Sequence, residues 1–263
     1  MKQQLTYNHQ YQLSYAEYGD QNAYPILIQH GLIASIADYD LFERLLQNNA
    51  RLICIARPGY GDSSPYLMKS YAEWAEIVSY LIEKLSLSHF DILGMSSGAP
   101  YSYALGYRFP DQARKIYIFS GIPALYDELV RANWPYPVSQ NTSLPEMQKL
   151  AHELFFANLT EEDLQKNDIR DSLSNNAFGV AQDLRLRFVD WGFNLSAVAQ
   201  MVFMHHSKTD DSVPYKTAVR TAELLPDCQL ELTETGSHFS SQALDDFIAH
   251  TMLKNINTSN TSN

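Results

Sequence analysis

Apolar residues follow two spacings along this chain: short runs, continuous or alternating, and longer stretches in which they return every three or four positions. The runs lie near residues 25–29, 51–56, 90–94, 115–120, 201–206 and 228–233, and each has the length of a buried strand. Between them, Trp74, Ile77, Tyr80, Leu81 and Leu85 recur at helical spacing and predict a helix whose aromatic residues face the core. Strands alternating with such helices predict an α/β fold with a mostly parallel sheet covered on both faces. Residues 5–18 alternate weakly and stop at Gly19-Asp20, which predicts an antiparallel hairpin ahead of the main sheet.

The stretch between the runs at 115–120 and 201–206 is too long for an ordinary crossover and carries helical patterns of its own. Leu144, Met147, Leu150, Leu154 and Phe155 mark one amphipathic helix, and Thr160 with Asp163 has the form of a capping box opening another. The chain therefore divides into a core of residues 1–121 and 200–254, a helical cap inserted over 122–199, and a polar, disordered tail over 255–263. Trp134, Tyr136, Phe156, Trp191 and Phe193 give the cap an aromatic surface, from which Trp134 and Trp191 are the candidate substrate-binding residues. Packing of the same rings onto the core is the alternative, and spacing does not separate the two.

Composition narrows the possibilities. At 263 residues and 30.0 kDa the chain has room for one α/β domain with an insertion, not for two. Its formal net charge of -11 repels phosphate backbones and anionic membrane surfaces, so neither nucleic acid nor a membrane is an expected partner. The segment Met1-Lys2-Gln3-Gln4-Leu5 lacks the apolar centre of a signal peptide and no run reaches the length of a membrane span, so a cytoplasmic protein is expected. Cys54 and Cys228 both fall in apolar strand patterns and imply buried thiols rather than a disulfide framework.

The candidate chemistry begins at Gly94-Met95-Ser96-Ser97-Gly98, placed between the run Phe90-Asp91-Ile92-Leu93 and a helical stretch from Ala99 to Tyr107. This is strand, tight turn and helix, with Ser96 at the apex and glycines where side chains would block the turn. A serine hydroxyl is a weak nucleophile, so such a turn calls for a base and an orienting carboxylate. Both occur at later strand exits: Asp210 and Asp211 lie in the loop His205-His206-Ser207-Lys208-Thr209-Asp210-Asp211-Ser212-Val213-Pro214, and His238 follows Gly236-Ser237. His205, His206, Asp210 and Asp211 could also suggest a metal site, but adjacent residues on a strand point to opposite faces, so no metal is expected. No glycine-rich nucleotide fingerprint is present, and no cofactor is implied.

Ser, Asp and His in this order, each after a strand, resemble the α/β-hydrolase fold family. Two further segments are similar to that family's motifs. His30-Gly31-Leu32 ends an apolar run as the HG turn does, and Arg57-Pro58-Gly59-Tyr60-Gly61-Asp62-Ser63 resembles an R-x-G-x-G-x-S loop to which a structural role is assigned. The resemblance covers roughly residues 13–120 and 200–252 and implies Ser96 as nucleophile, His238 as base and Asp210, three residues before Val213, as the acid. It also implies that the backbone amides of Leu32 and Ser97 form an oxyanion hole. Departures from the pattern are Ala56 where an Asp often stands, Ser207 in place of glycine before the acid, and Ser237 in place of glycine before the histidine.

The activity so implied is hydrolysis of a carboxylic ester or related small-molecule acyl substrate through an acyl-enzyme. A carbon–carbon hydrolase, an amidase or aminopeptidase, a lyase, and a ligand-binding sensor with little turnover share the scaffold. Relatives that open epoxides or remove halide carry aspartate at the elbow, so Ser96 argues against those reactions.

Overall fold

The computed structural model describes residues 2–137 and 142–259. Eight strands form one sheet: β1 (Lys2–Tyr7), β2 (Tyr11–Tyr18), β3 (Tyr24–Gln29), β4 (Ala50–Ile55), β5 (Phe90–Met95), β6 (Ala113–Phe119), β7 (Met201–Ser207) and β8 (Cys228–Thr233). Their spatial order is β1-β2-β4-β3-β5-β6-β7-β8; β1–β2 and β2–β4 pair antiparallel and every other neighbour pairs parallel. The central strand β5 is buried at all six positions, as expected of a strand covered on both faces, whereas β8 at the edge is largely half-exposed and alternates.

The helices are α1 (Glu43–Gln47), α2 (Tyr71–Lys84), α3 (Gly98–Arg108), α4 (Glu128–Ala132), α5 (Leu144–Ala151), α6 (Asn167–Leu186), α7 (Tyr215–Glu223), α8 (Ser241–Phe247) and α9 (Leu253–Ser259). They divide the apolar interior into two layers, one beneath α2 and α3 that includes Trp74, Leu81 and Leu105, the other across the sheet with Ile28, Phe42, Phe247 and Met252. α2 starts where the Ser70 hydroxyl accepts from the Glu73 amide and buries Trp74, Ile77, Val78 and Leu81. Tyr80, expected in this core, is 41% exposed; it lies off the buried stripe and hydrogen-bonds Asn8 instead.

The segment between β6 and β7 carries α4, α5 and α6, with α5 and α6 packed together. α5 opens with a capping box between Ser143 and Glu146, and Thr160 and Asp163 exchange reciprocal hydrogen bonds of 3.0 and 3.2 Å ahead of a short 3-10 turn. α6 is broken at residues 174–177, where Asn175, Asn176 and Ala177 have positive φ. Against the break lies the Arg57–Ser63 loop: the Asn175 side chain donates to Gly59 O, and a side chain at Gly59 would collide with Phe178.

The expected disorder from residue 255 onward is not what the structure has as far as Ser259. Residues 253–259 are helical and Ile256 is buried in the second core layer, because Leu253 and Ile256 form one apolar face. The remainder of that tail lies outside the described residues. No helix among the described residues is long and apolar enough to cross a membrane.

Candidate active site

β5 delivers Ser96 to the end of the sheet in a left-handed conformation, φ 47°, which a non-glycine residue rarely adopts. The turn is held on both sides, since Ser96 N–H donates to Phe119 O and Ser96 O accepts from Ile122 N–H, each at 3.0 Å. Gly98 is required by close approach: a Cβ there would stand 2.1 Å from Gln29 O. The elbow therefore sits directly against the end of β3.

Ser96 Oγ lies 2.8 Å from His238 Nε2, and His238 Nδ1 lies 2.8 Å from Asp210 Oδ2. The Asp210 carboxylate is buried, and its Oδ1 accepts the amides of Ser212 and Val213 at 2.9 and 2.8 Å. Burial alone would raise its pKa, but the His238 hydrogen bond and these amides outweigh it and hold the carboxyl below its ordinary range. Asp211 is exposed, and among the described residues its side chain accepts only from the Ser212 hydroxyl. Ser207, which stands where glycine is common, fastens the histidine loop by donating to Gly236 O at 2.9 Å. The structure thus brings Ser96, His238 and Asp210 into one hydrogen-bonded series and leaves Asp211 out of it.

Leu32 lines the same cavity as Ser96 and Ser97 follows it in the turn, and neither backbone amide donates to a protein acceptor among the described residues. The turn that presents Leu32 is fixed through its carbonyls. Arg57 Nη1 donates to His30 O at 2.7 Å, Arg57 Nη2 to Gly31 O at 2.8 Å, and the Tyr60 hydroxyl to Leu32 O at 2.8 Å. With its carbonyl oxygens engaged from behind, the turn is braced with Leu32 beside Ser96. Arg57 is itself fully buried in a pair with Asp183 of α6, whose carboxylate also accepts from Tyr60 and Tyr101. Burial would lower the Arg57 pKa, but the Asp183 charge outweighs it and keeps the guanidinium raised and ionised.

Of the other histidines near the strand ends, only His206 among the described residues approaches Asp210. Burial, then the Arg57 charge, keeps His30 neutral, with Nδ1 2.8 Å from Gly31 O. His205 stacks on Phe119, while His206 Nε2 lies 2.8 Å from Val213 O and 3.2 Å from Asp210 Oδ2.

A cavity of about 1280 Å³ opens above Ser96 and His238, walled by core residues such as Leu32 and by Trp134, Leu154, Phe155 and Arg187 from the inserted segment. Leu154 and Phe155 remain partly exposed because they face this space. The two tryptophans have different places. Trp134 lines the cavity at 9% exposure, whereas Trp191 is 1% exposed, does not line it, and packs edge-on against Tyr71 and Tyr126, each at 5.1 Å. Trp191 thus belongs to the core: its carbonyl accepts from Ala72 N–H, which anchors it on the first turn of α2. Asp183 and Arg187 had no signal in the sequence beyond being charged residues inside an amphipathic pattern.

Residues 24–241 match the alpha/beta hydrolase fold family, and the chain belongs to it. It is 23% identical over 234 residues to a 2-hydroxymuconate semialdehyde hydrolase of Pseudomonas sp. (strain CF600), covering 82% of this chain and 81% of that protein. Among solved structures, an esterase from Exiguobacterium antarcticum superposes with a TM-score of 0.73 at 19% identity, covering 98% of this chain and 100% of the other. A variant of a meta-cleavage product hydrolase superposes with a TM-score of 0.68 at 17% identity, covering 97% and 98% respectively. The chain is a hydrolase by family, and these likenesses show its fold.

Proposed function

We propose that the protein hydrolyses a carboxylic ester of a small acyl substrate through an acyl-enzyme on Ser96. The observation that carries the reading is the unbroken series Ser96 Oγ, His238, Asp210 beside two undonated amides. His238 Nε2 takes the hydroxyl proton as Ser96 Oγ attacks the carbonyl carbon, and the Leu32 and Ser97 amides bind the resulting oxyanion. Collapse breaks the bond to the leaving alkoxide, which takes the proton from His238. A water molecule, deprotonated by His238, then attacks the acyl carbon, releases the acid and restores Ser96. Asp210 orients His238 throughout and stabilises its charged form. The inserted segment acts in this reading as a cap that shapes the acyl site.

The test is reaction with a serine-directed fluorophosphonate, with the attachment site found by mass spectrometry, alongside turnover of aryl acetate and butyrate. Stoichiometric labelling of Ser96 with ester turnover is expected. No labelling of folded protein would make it a binding module. Labelling without ester turnover, combined with cleavage of a vinylogous diketone, would select carbon–carbon hydrolysis by the same residues, a reading favoured by the match to 2-hydroxymuconate semialdehyde hydrolase.

A further inference from the structure

Arg187 ends α6 and reaches into the cavity wall beside the nucleophile, where its Nη2 donates to the Ser97 hydroxyl at 2.8 Å. Among the described residues that is its only hydrogen bond; its Nε is buried without an acceptor, and no carboxylate pairs with it. Asp183, one helical turn earlier, is already taken by Arg57, Tyr60 and Tyr101. Desolvation lowers the Arg187 pKa, and the neighbouring groups that would raise it, Tyr71 and Asp183 among them, do not offset this. A half-buried guanidinium without an ion-pair partner contributes little to the fold, and it becomes favourable once a ligand supplies the anion.

From this placement we infer that Arg187, held in place by the Ser97 hydroxyl, forms a carboxylate subsite in the cavity wall, and that the substrate is an ester whose acyl chain ends in an acid, a hemiester of a short dicarboxylic acid. The inference rests on the ester-hydrolase reading. The acyl side is indicated because the leaving alkoxide must face His238 Nε2, its proton donor, whereas the guanidinium contacts Ser97, the residue whose amide faces the carbonyl oxygen. Ser97, buried behind the cavity lining, accepts from Arg187 Nη2 and fixes the guanidinium, whose other terminal N–H groups are left for the carboxylate oxygens. The terminal nitrogens of the guanidinium make a two-point grip with planar preference.

Aryl succinate and glutarate hemiesters compared with the isosteric neutral butyrate and valerate esters provide the test. The parent protein should prefer the acid-bearing esters in kcat/KM by at least about tenfold, as a charge-assisted contact supplies. Arg187→Gln should collapse that ratio to near one or below, and Arg187→Lys should restore part of it. In parallel, free succinate and glutarate should raise the melting temperature of Ser96→Ala, and butyramide should not. Equal turnover of acid and neutral esters by the parent, or a preference that survives Arg187→Gln in folded protein, overturns the subsite while leaving the esterase reading intact. If no ester is turned over, the esterase reading fails, and the thermal arm decides the subsite alone: a shift that Arg187→Gln removes supports it, no shift overturns it.

Discussion

Ser96 and Ser97 carry the same side chain, yet the turn aims one hydroxyl at His238 and the other at Arg187. Ser96→Ala should lower kcat by on the order of a million-fold with the fold unchanged by circular dichroism, since it removes only the attacking oxygen. The adjacent carboxylates divide in the same way. Asp210→Asn should cost roughly ten-thousand-fold in kcat by spoiling the His238 tautomer, and Asp211→Asn should stay within a few-fold, both read on one ester. Near-parent rates for Asp210→Asn would remove that loop from the mechanism. The three residues of the hydrogen-bonded series were legible because each sits in a local motif at a strand exit. Arg187 was not, because its meaning depends on a missing counter-charge and on a contact with residue 97, ninety positions away.

Among the elements, the inserted segment shows where reading by spacing stops. Trp134 and Trp191 are both aromatic residues in helix-rich sequence, but only the folded chain places one at the cavity and buries the other against Tyr71 and Tyr126. Trp191→Ala should therefore destabilise by about 3–5 kcal/mol in denaturant unfolding, whereas Trp134→Ala should chiefly alter the ranking of esters by acyl length. Similar losses of stability for both would contradict the assignment. The strands and α2 were readable from their apolar runs and period, but the rim position of Tyr80 and the helix after Leu253 depend on neighbours distant in sequence. In the sheet, Asp91 on β5 is buried, and desolvation pushes its carboxyl up to about 6 despite hydrogen bonds from Tyr24 and the Lys115 amide. A raised carboxyl favours the folded state below its unfolded value and loses that advantage as pH rises through about 6. The stability gap between pH 4 and pH 7 attributable to this group is about 2 kcal/mol, and Asp91→Asn should narrow it in thermal melts at the two pH values.

At the scale of the whole molecule, the buried Arg57–Asp183 pair joins the core to the segment between β6 and β7. Asp183→Asn leaves a guanidinium enclosed without its anion and should destabilise the fold by about 3–5 kcal/mol. The same change loosens the group that holds His30 O and Gly31 O, so kcat should also fall, on the order of a hundredfold as for a lost oxyanion donor, with KM little altered. A fall in stability with unchanged kcat would separate the clamp from the oxyanion turn. The motif containing Arg57 was legible as structural, but its partner, 126 positions on, was not.

That pair makes the two parts of the chain poor candidates for exchange. An engineer who replaced the segment over the cavity with one from another scaffold, hoping to import a new specificity, would also remove the counter-charge on which the Leu32 turn depends. The chimera would keep Ser96, His238 and Asp210 in register and still work slowly. Exchange of that segment is therefore constrained at one position: an incoming segment must present an acid where Asp183 stands.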